Sequence, residues 1–517
     1  MKLTLEQQQA LTLIEQKQFT LLHGVTGSGK TEVYLQAAQK AVAAGKQVIV
    51  LVPEISLTPQ TTTRFAERFP IAILHSRLTP KEKHLSWQKI IAGEVPVVVG
   101  ARSALFAPCH NLGLIIIDEE HDSSYKQDNN PRYQAVITAE ERAKLTGAKL
   151  ILGTATPSLE TYYRYKDHPD QLYGYIQLTK RINDYPMPPV EIVDLREELH
   201  AGNFSVLSRR LREKIKDRLE RKEKIIIFLN RRGFSTFVSC RSCGYVLECP
   251  RCSVSLTYHQ DETAHCHYCD HIESVPNACP KCGSKYFRFF GTGTQKVEAE
   301  LQKYFGAIKT LRMDKDTTQK RESHQDILHE FIHSDADVLL GTQMIAKGHD
   351  FPEVTLVGII AADSILHLPD FRASERTFQL LAQVAGRTGR GVKGGEVIVQ
   401  TYNPDHIAIQ AAAKHDYELF FKHELADRKA AQYPPFTKLT MIVVSAPEEN
   451  LVKKRIMEVA KQFPSDRVLG PVPCPLRKLR GFYRWQILLK DCTVNYSDFP
   501  EESDVKIEID VDPVNML

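Results

Sequence analysis

Short apolar runs alternate with amphipathic stretches along the first third of the chain. The runs are FTLLHG (19–24), QVIVLVP (47–53), IAILHS (71–76), VPVVVGA (95–101), LGLIIID (112–118) and AKLILGTATP (148–157). Nearly continuous apolar strands of this length suit a parallel sheet covered on both faces. Between the first two runs, TEVYLQAAQKAVAAG predicts a helix with Val33, Ala37, Ala41 and Ala44 on its core face and Gly45 as its stop.

The pattern then restarts. NDYPMPP (183–189) is proline-rich and reads as a linker. Beyond it come KIIIFLN, KYFRFFG, IKTLRMD, DVLLGT, VTLVGIIAAD and GEVIVQTY, which predict a second parallel sheet. From about residue 405 the rhythm changes again. YPPF (433–436) leads to LTMIVVSA, a helix at 447–462, YRWQILLK and VKIEIDVDP, a small α+β domain. The fold class is therefore α/β with two parallel-sheet lobes and a small C-terminal α+β domain. The expected boundaries are 1–180 for lobe one, 181–236 and 289–405 for lobe two, 237–288 for an insertion, and 406–517 for the last domain.

Composition changes this picture little. Lys+Arg is 67 against Asp+Glu 63, so the net charge of +4 calls for no polyanionic partner by itself, and any basic surface must be local. No run reaches the ~18 apolar residues of a membrane helix, and the N-terminus lacks the apolar core of a secretory signal. The expected location is cytoplasmic, with no membrane partner.

Cysteine usage is more telling. Eight of the 11 cysteines form four C-x-x-C pairs: Cys240/Cys243, Cys249/Cys252, Cys266/Cys269 and Cys279/Cys282. Thiolates so spaced can complete two closed tetrahedral sites, which favours structural zinc over iron–sulfur or redox chemistry. Spacing alone leaves open which pairs share a metal.

The strongest local motif is Gly24-Val25-Thr26-Gly27-Ser28-Gly29-Lys30-Thr31, which fits G-x-x-x-x-G-K-[ST] between a predicted strand and a predicted helix. Such glycines let backbone N–H groups wrap phosphates at a helix N-terminus. Lys30 would pair with the β/γ-phosphates and Thr31 would ligate Mg²⁺. Asp118-Glu119-Glu120-His121 ends an apolar strand, at the sheet edge where open α/β folds bind ligands. Asp118 would hold the metal and Glu119 would polarise the attacking water. Alone, two such acids usually mark a solvated loop; the upstream phosphate loop changes the reading. Gly386-Arg387-Thr388-Gly389-Arg390, preceded by Gln383, offers two arginines suited to a phosphate. Leu476–Trp485 mixes four basic residues with three aromatics, which fits either a nucleic-acid contact or a basic hairpin with core aromatics.

Together these motifs resemble the superfamily 2 helicases, whose two RecA-like lobes close on ATP; the DEEH form is similar to the DExH branch. The likeness is closer to one family among them, the primosomal replication-restart DNA helicases. It runs through GVTGSGKTEVY, LVPEISLTPQ, VVVGARSALFAP, DEEHDSSYKQ, FLNRRGFS, GTGTQKVEAEL, GTQMIAKGHDFPEVTLVGIIAAD, QVAGRTGR and LGPVPCPLRKLRGFYRWQ, and the eight-cysteine insertion is typical of it. The resemblance implies nucleotide binding by Gly24–Thr31 and adenine reading by Gln7. It implies catalysis by Lys30, Asp118, Glu119 and the arginine fingers Arg387 and Arg390. It pairs Cys240, Cys243, Cys279 and Cys282 in one zinc site, and Cys249, Cys252, Cys266 and Cys269 in the other. ATP, Mg²⁺ and two Zn²⁺ follow as ligands.

The implied activity is ATP-dependent 3′→5′ unwinding at stalled or branched forks, for replication restart and primosome assembly. Implied partners are single-stranded and forked DNA, single-stranded-DNA-binding protein, other primosome components and the machinery that loads the replicative helicase; the implied setting is the nucleoid. The family carries a 3′-end-binding domain and a winged helix ahead of lobe one, whereas this sequence begins almost at Gln7 and is expected to lack both. Of the family's DNA-coupling loop, only Pro131-Arg132-Tyr133 stands out clearly. A DNA- and primosome-binding platform with ATPase but little autonomous unwinding is the alternative; an RNA helicase of the same superfamily is the third reading.

Overall fold

In the computed structural model the chain divides into two compact units. The first is Met1–Pro188 with Met344–Val354 and Ala382–Gly395; the second is Pro189–Gln343 with Thr355–Leu381 and Glu396–Leu517. The structure describes residues 3–53, 59–76, 78–167, 171–229, 237–251, 254–258, 263–289, 294–314, 323–342, 345, 351, 353–389, 393–499, 504–514 and 516.

The first unit is built on seven strands: β1 (Phe19–Gly24), β2 (Gln47–Leu51), β3 (Ile71–Leu74), β4 (Val97–Gly100), β5 (Leu112–Asp118), β6 (Lys149–Thr154) and β7 (Tyr173–Leu178). They pair in the order β3-β4-β2-β5-β6-β1-β7, parallel throughout. The five residues of β2 and the four of β4 are all buried, so the uninterrupted apolar runs are those of strands covered on both faces. Because β5, β6 and β1 are neighbours, their carboxyl ends bring Asp118, Thr154 and Gly24 to one edge.

Two helices flank that edge. α1 (Leu5–Gln16) starts at a capping box in which Thr4 and Gln7 satisfy each other's backbone N–H. α2 (Lys30–Ala43) starts at Gly29 and ends ahead of Gly45, whose φ of 71° is the left-handed stop its position calls for. Its buried side is Val33, Tyr34, Leu35, Ala37 and Ala38. Ala44 is exposed and Ala41 half-buried, so the core face is broader at the N-terminal end than the alanine stripe suggests.

In the second unit, β8 (Val190–Asp194) and β9 (Lys224–Leu229) precede five short strands. These are β10 (Val238–Cys240), β11 (Thr257–Tyr258), β12 (Thr263–His265), β13 (Ile272–Ser274) and β14 (Phe287–Phe289). Then follow β15 (Thr310–Met313), β16 (Val338–Gly341), β17 (Val354–Ile360) and β18 (Glu396–Thr401). The large sheet runs β15-β16-β9-β17-β18-β8. KYFRFFG is not one of its strands. Phe287–Phe289 pairs antiparallel with β10, closing a ribbon at the base of the cysteine region, while β11-β12-β13 form a separate antiparallel sheet.

The chain closes on an antiparallel sheet of β19 (Leu439–Ala446), β20 (Val468–Leu479), β21 (Phe482–Lys490) and β22 (Lys506–Val511), in the order β20-β21-β19-β22. The helix Glu449–Ala460 lays Val452, Ile456 and Val459 on Trp485, Ile487 and Leu489 of β21. Among the described residues, no helix is long and apolar enough to cross a membrane.

Candidate nucleotide site and cysteine clusters

The phosphate loop joins β1 to α2, and its shape depends on glycine. Gly27 and Gly29 have φ of 86° and 83°, a region closed to most side chains. At Gly24 a Cβ would lie 2.5 Å from the Ser28 hydroxyl. The loop is held from outside by backbone bonds from Val25 N to Leu178 O and from Ile182 N to Gly27 O, each 3.0 Å. Lys30 Nζ donates to Gly24 O at 2.8 Å, and Thr31 follows on the first turn of α2. The Ser28 hydroxyl is buried with no hydrogen-bond partner among the described residues. A glycine cradle over a helix N-terminus, with a lysine and an unsatisfied hydroxyl, fits a phosphate group.

Gln7 sits against this loop rather than apart from it. Its amide accepts from Thr4 N at 3.0 Å and donates to Ser28 O at 3.2 Å. A Cβ at Gly29 would come within 2.5 Å of its Nε2. Gln7 therefore joins the start of α1 to the phosphate loop.

Asp118 ends β5 facing the loop. Tyr34 Oη, from α2, donates to its Oδ1 at 2.9 Å, and Tyr125 Oη donates to its backbone oxygen at 2.7 Å. Gly153 makes room for that reach, since a Cβ there would run into the Tyr34 hydroxyl. Burial, and then the Glu119 charge beside it, push the Asp118 carboxyl up to about 6, against the pull of Lys30. Such a carboxylate is a fitting partner for a divalent cation, which would relieve both effects. Glu119 is turned out by a left-handed backbone, φ 50°, and its Oε2 is buried with no hydrogen bond among the described residues. Glu120 faces the other way and accepts from Ser158 N at 2.7 Å and Thr161 Oγ1 at 3.1 Å.

His121 links further segments. Its Nδ1 lies 2.7 Å from Thr154 Oγ1, and its Nε2 lies 2.6 Å from Gln383 Nε2. The stretch Ala382–Gly395 belongs to this unit although it lies within the 289–405 segment expected for lobe two. There Arg387 is buried, which lowers its pKa, while the charge of Glu119 opposes the shift. A Cβ at Gly386 would strike Thr26 Oγ1 at 2.7 Å, so the arginine-bearing loop lies directly against the phosphate loop. Arg390 lies outside the described residues.

Sequence reasoning placed Gly24–Thr31, Asp118, Glu119 and Arg387, and the structure brings them together. It did not find Tyr34 or Arg181, and Gly153-Thr154-Ala155-Thr156-Pro157 offered only a weak turn signal at a strand end. Tyr34 carries no motif signal beyond an ordinary helix.

The cysteines gather in two groups. Sγ atoms of Cys240, Cys243, Cys279 and Cys282 lie within 4.8 Å of one another, as do those of Cys249, Cys266 and Cys269; Cys252 lies outside the described residues. The pairs Cys240/Cys282, Cys243/Cys279 and Cys249/Cys269 stand 3.6 Å apart. Four thiolates about 2.3 Å from one zinc would be about 3.8 Å apart, so the spacing fits metal. Three of the turns share one form. Gly244, Gly283 and Asp270, each just past a second cysteine, have φ of 74°, 72° and 57° and donate N–H to Cys240, Cys279 and Cys266.

A phosphate loop after β1 and an acid pair at the end of β5, flanking β6 in one parallel sheet, with a buried arginine facing them, define a nucleotide-binding core of the helicase class. Family models agree: DEAD/DEAH box helicase matches residues 4–164 and the helicase conserved C-terminal domain matches 283–392. The PriA DNA helicase Cys-rich region matches 249–273, and the primosomal protein N C-terminal domain matches 429–514.

Curated relatives include the replication restart protein PriA of Bacillus subtilis, 48% identical over 96% of this chain and 64% of its own length. That of Synechocystis is 46% identical over 96% and 62%, and that of Treponema pallidum 43% over 96% and 77%. The chain belongs to the PriA replication restart family, and it spans less than two thirds of the Bacillus and Synechocystis proteins.

Proposed function

We propose that this chain is an ATP-driven 3′→5′ DNA helicase serving replication restart at stalled or branched forks. The observation that carries the reading is the convergence of Lys30, Asp118, Glu119 and Arg387 on the phosphate loop within one compact unit. Lys30 leaves Gly24 O for the β/γ-phosphates, and the backbone of Gly24–Gly29 cradles them. Thr31 and Asp118 would hold Mg²⁺, which when bound offsets charge on the transferring phosphoryl group. Glu119 orients the attacking water and accepts its proton at Oε2, which makes no hydrogen bond among the described residues and lies 3.7 Å from His121 Nδ1. Arg387, with Arg390, stabilises the γ-phosphoryl charge, a role that can be worth ~10³–10⁵ in rate. Gln7 joins adenine recognition to the loop it already touches.

On the same reading, residues 1–180 form the ATP lobe, 181–236 and 289–405 the second lobe, 237–288 a two-zinc insertion, and 406–517 a DNA- and partner-binding domain. Single-stranded and forked DNA, single-stranded-DNA-binding protein and the helicase-loading machinery are the partners, in the nucleoid. The test is strand separation on a forked DNA with and without ATP, beside DNA-stimulated ATP hydrolysis. Wild type should do both, and Lys30→Ala should lose both at least a hundredfold with an unchanged melting temperature. Hydrolysis without unwinding would favour the binding platform; retained turnover in Lys30→Ala would overturn the site.

A further inference from the structure

Arg181 stands at the end of the segment that follows β7, outside every motif considered above. Its side chain is 5% exposed. A buried guanidinium normally has a carboxylate beside it, because an unpaired charge is costly to desolvate. None of the described hydrogen bonds of Arg181 goes to one. They go to three backbone oxygens of a single loop: Nη1 donates to Gly389 O at 2.9 Å and Thr388 O at 3.3 Å, and Nη2 donates to Gly386 O at 3.4 Å. Its Nε finds no partner among the described residues. That loop carries Arg387.

The stem of Arg181 is placed as tellingly as its head. Its Cγ and Cδ lie 3.7 and 3.9 Å from where a Cβ on Gly27 would stand. The next residue, Ile182, donates its N–H to Gly27 O and packs against Gly29. One side chain thus spans from the phosphate loop to the backbone on either side of Arg387. The loop is also held where Thr388 Oγ1 donates to Val354 O at 2.7 Å. A rigid planar fork with five donors holds carbonyls that lie along a loop in a fixed orientation; an ammonium offers three donors from a single rotating nitrogen.

We propose that Arg181 is a positioning residue for ATP hydrolysis, which clamps the loop 386–389 onto the phosphate loop and so aims Arg387. It touches no substrate atom and acts through the loop. This rests on the reading of Arg387 as the residue that meets the γ-phosphoryl group.

Arg181→Met keeps an apolar stem over Gly27 and removes all donors; Arg181→Lys keeps the charge but not the fork. In the full chain, kcat for DNA-stimulated ATP hydrolysis should fall at least tenfold in Arg181→Met, and substantially in Arg181→Lys. KM for ATP should stay within threefold, because the cradle is untouched. In Arg181→Met/Arg387→Ala, kcat should be no lower than in Arg387→Ala alone, since residues acting through one another are non-additive. Amide exchange of residues 386–389 should speed up in Arg181→Met while that of β1 does not. Unchanged exchange there, or losses that multiply in the double variant, would overturn the proposal. A wild type without ATPase would instead overturn the proposed function, and the exchange measurement would still decide the clamp.

Discussion

The nucleotide site and the cysteine clusters are built on opposite plans. The first draws on residues from Gln7 to Arg387, each placed by a main-chain device: left-handed glycines at 27 and 29, a left-handed Glu119, a glycine at 153 that admits Tyr34. The second repeats one small turn between Cys240 and Cys282, and each turn delivers two thiols. A site assembled from distant segments can be retuned by residues that never meet the ligand. A site made of local turns stands or falls with its ligands.

Stripping metal should separate the two regions most sharply. Cys240, Cys249, Cys266 and Cys279 share one apolar cluster with Tyr433, Leu439, Leu488 and Met516, and Gln486 Nε2 donates to His267 O at 3.1 Å. Chelation should therefore speed amide exchange in β19 more than tenfold and leave binding of a fluorescent ATP analogue within twofold. Loss of nucleotide affinity would erase the contrast.

Acid should act next, and it should weaken the second unit. Burial, which outweighs the charge of Asp363, lowers the pKa of His367 from 6.5 to about 4, while its Nε2 accepts from Asn403 Nδ2 at 2.9 Å. The unfolded chain takes up the proton first, so stability is full above pH ~6.5 and falls as the pH drops towards 4, by up to about 3 kcal/mol. Thermal melts from pH 7 to pH 4.5 should show this loss, and His367→Gln should flatten it.

The smallest effect falls within the nucleotide site. Tyr34→Phe removes the donor to Asp118 and should cost about 1–2 kcal/mol, seen as a roughly tenfold slower Mg²⁺-dependent ATPase with zinc content unchanged. An undiminished rate would mean that the hydroxyl only packs.

Much of this was legible in the sequence because the chemistry restricts it. A phosphate loop needs glycine at stated positions, and a metal knuckle needs C-x-x-C. Other features were hidden for physical reasons. β20 contains prolines that argue against a central strand, and the sheet accommodates them by placing it at an edge. Leu476–Trp485 runs over the end of β20, a turn with Arg480 and Gly481 at φ 50° and 90°, and the start of β21; it is a hairpin in which Trp485 is buried and Phe482 exposed. KYFRFFG alternates like any half-covered strand, and nothing local says which sheet it joins. His121 and Gln383 are 262 residues apart, and neither carries a sign of the other.

Glu119 shows how such a site ages. A side chain held at φ 50° costs roughly 1–2 kcal/mol relative to a relaxed backbone, and glycine would remove that cost. Glu119→Gly should therefore give a protein that melts higher and hydrolyses nothing. A change that favours stability at this position would thus run directly against the turnover proposed for the site.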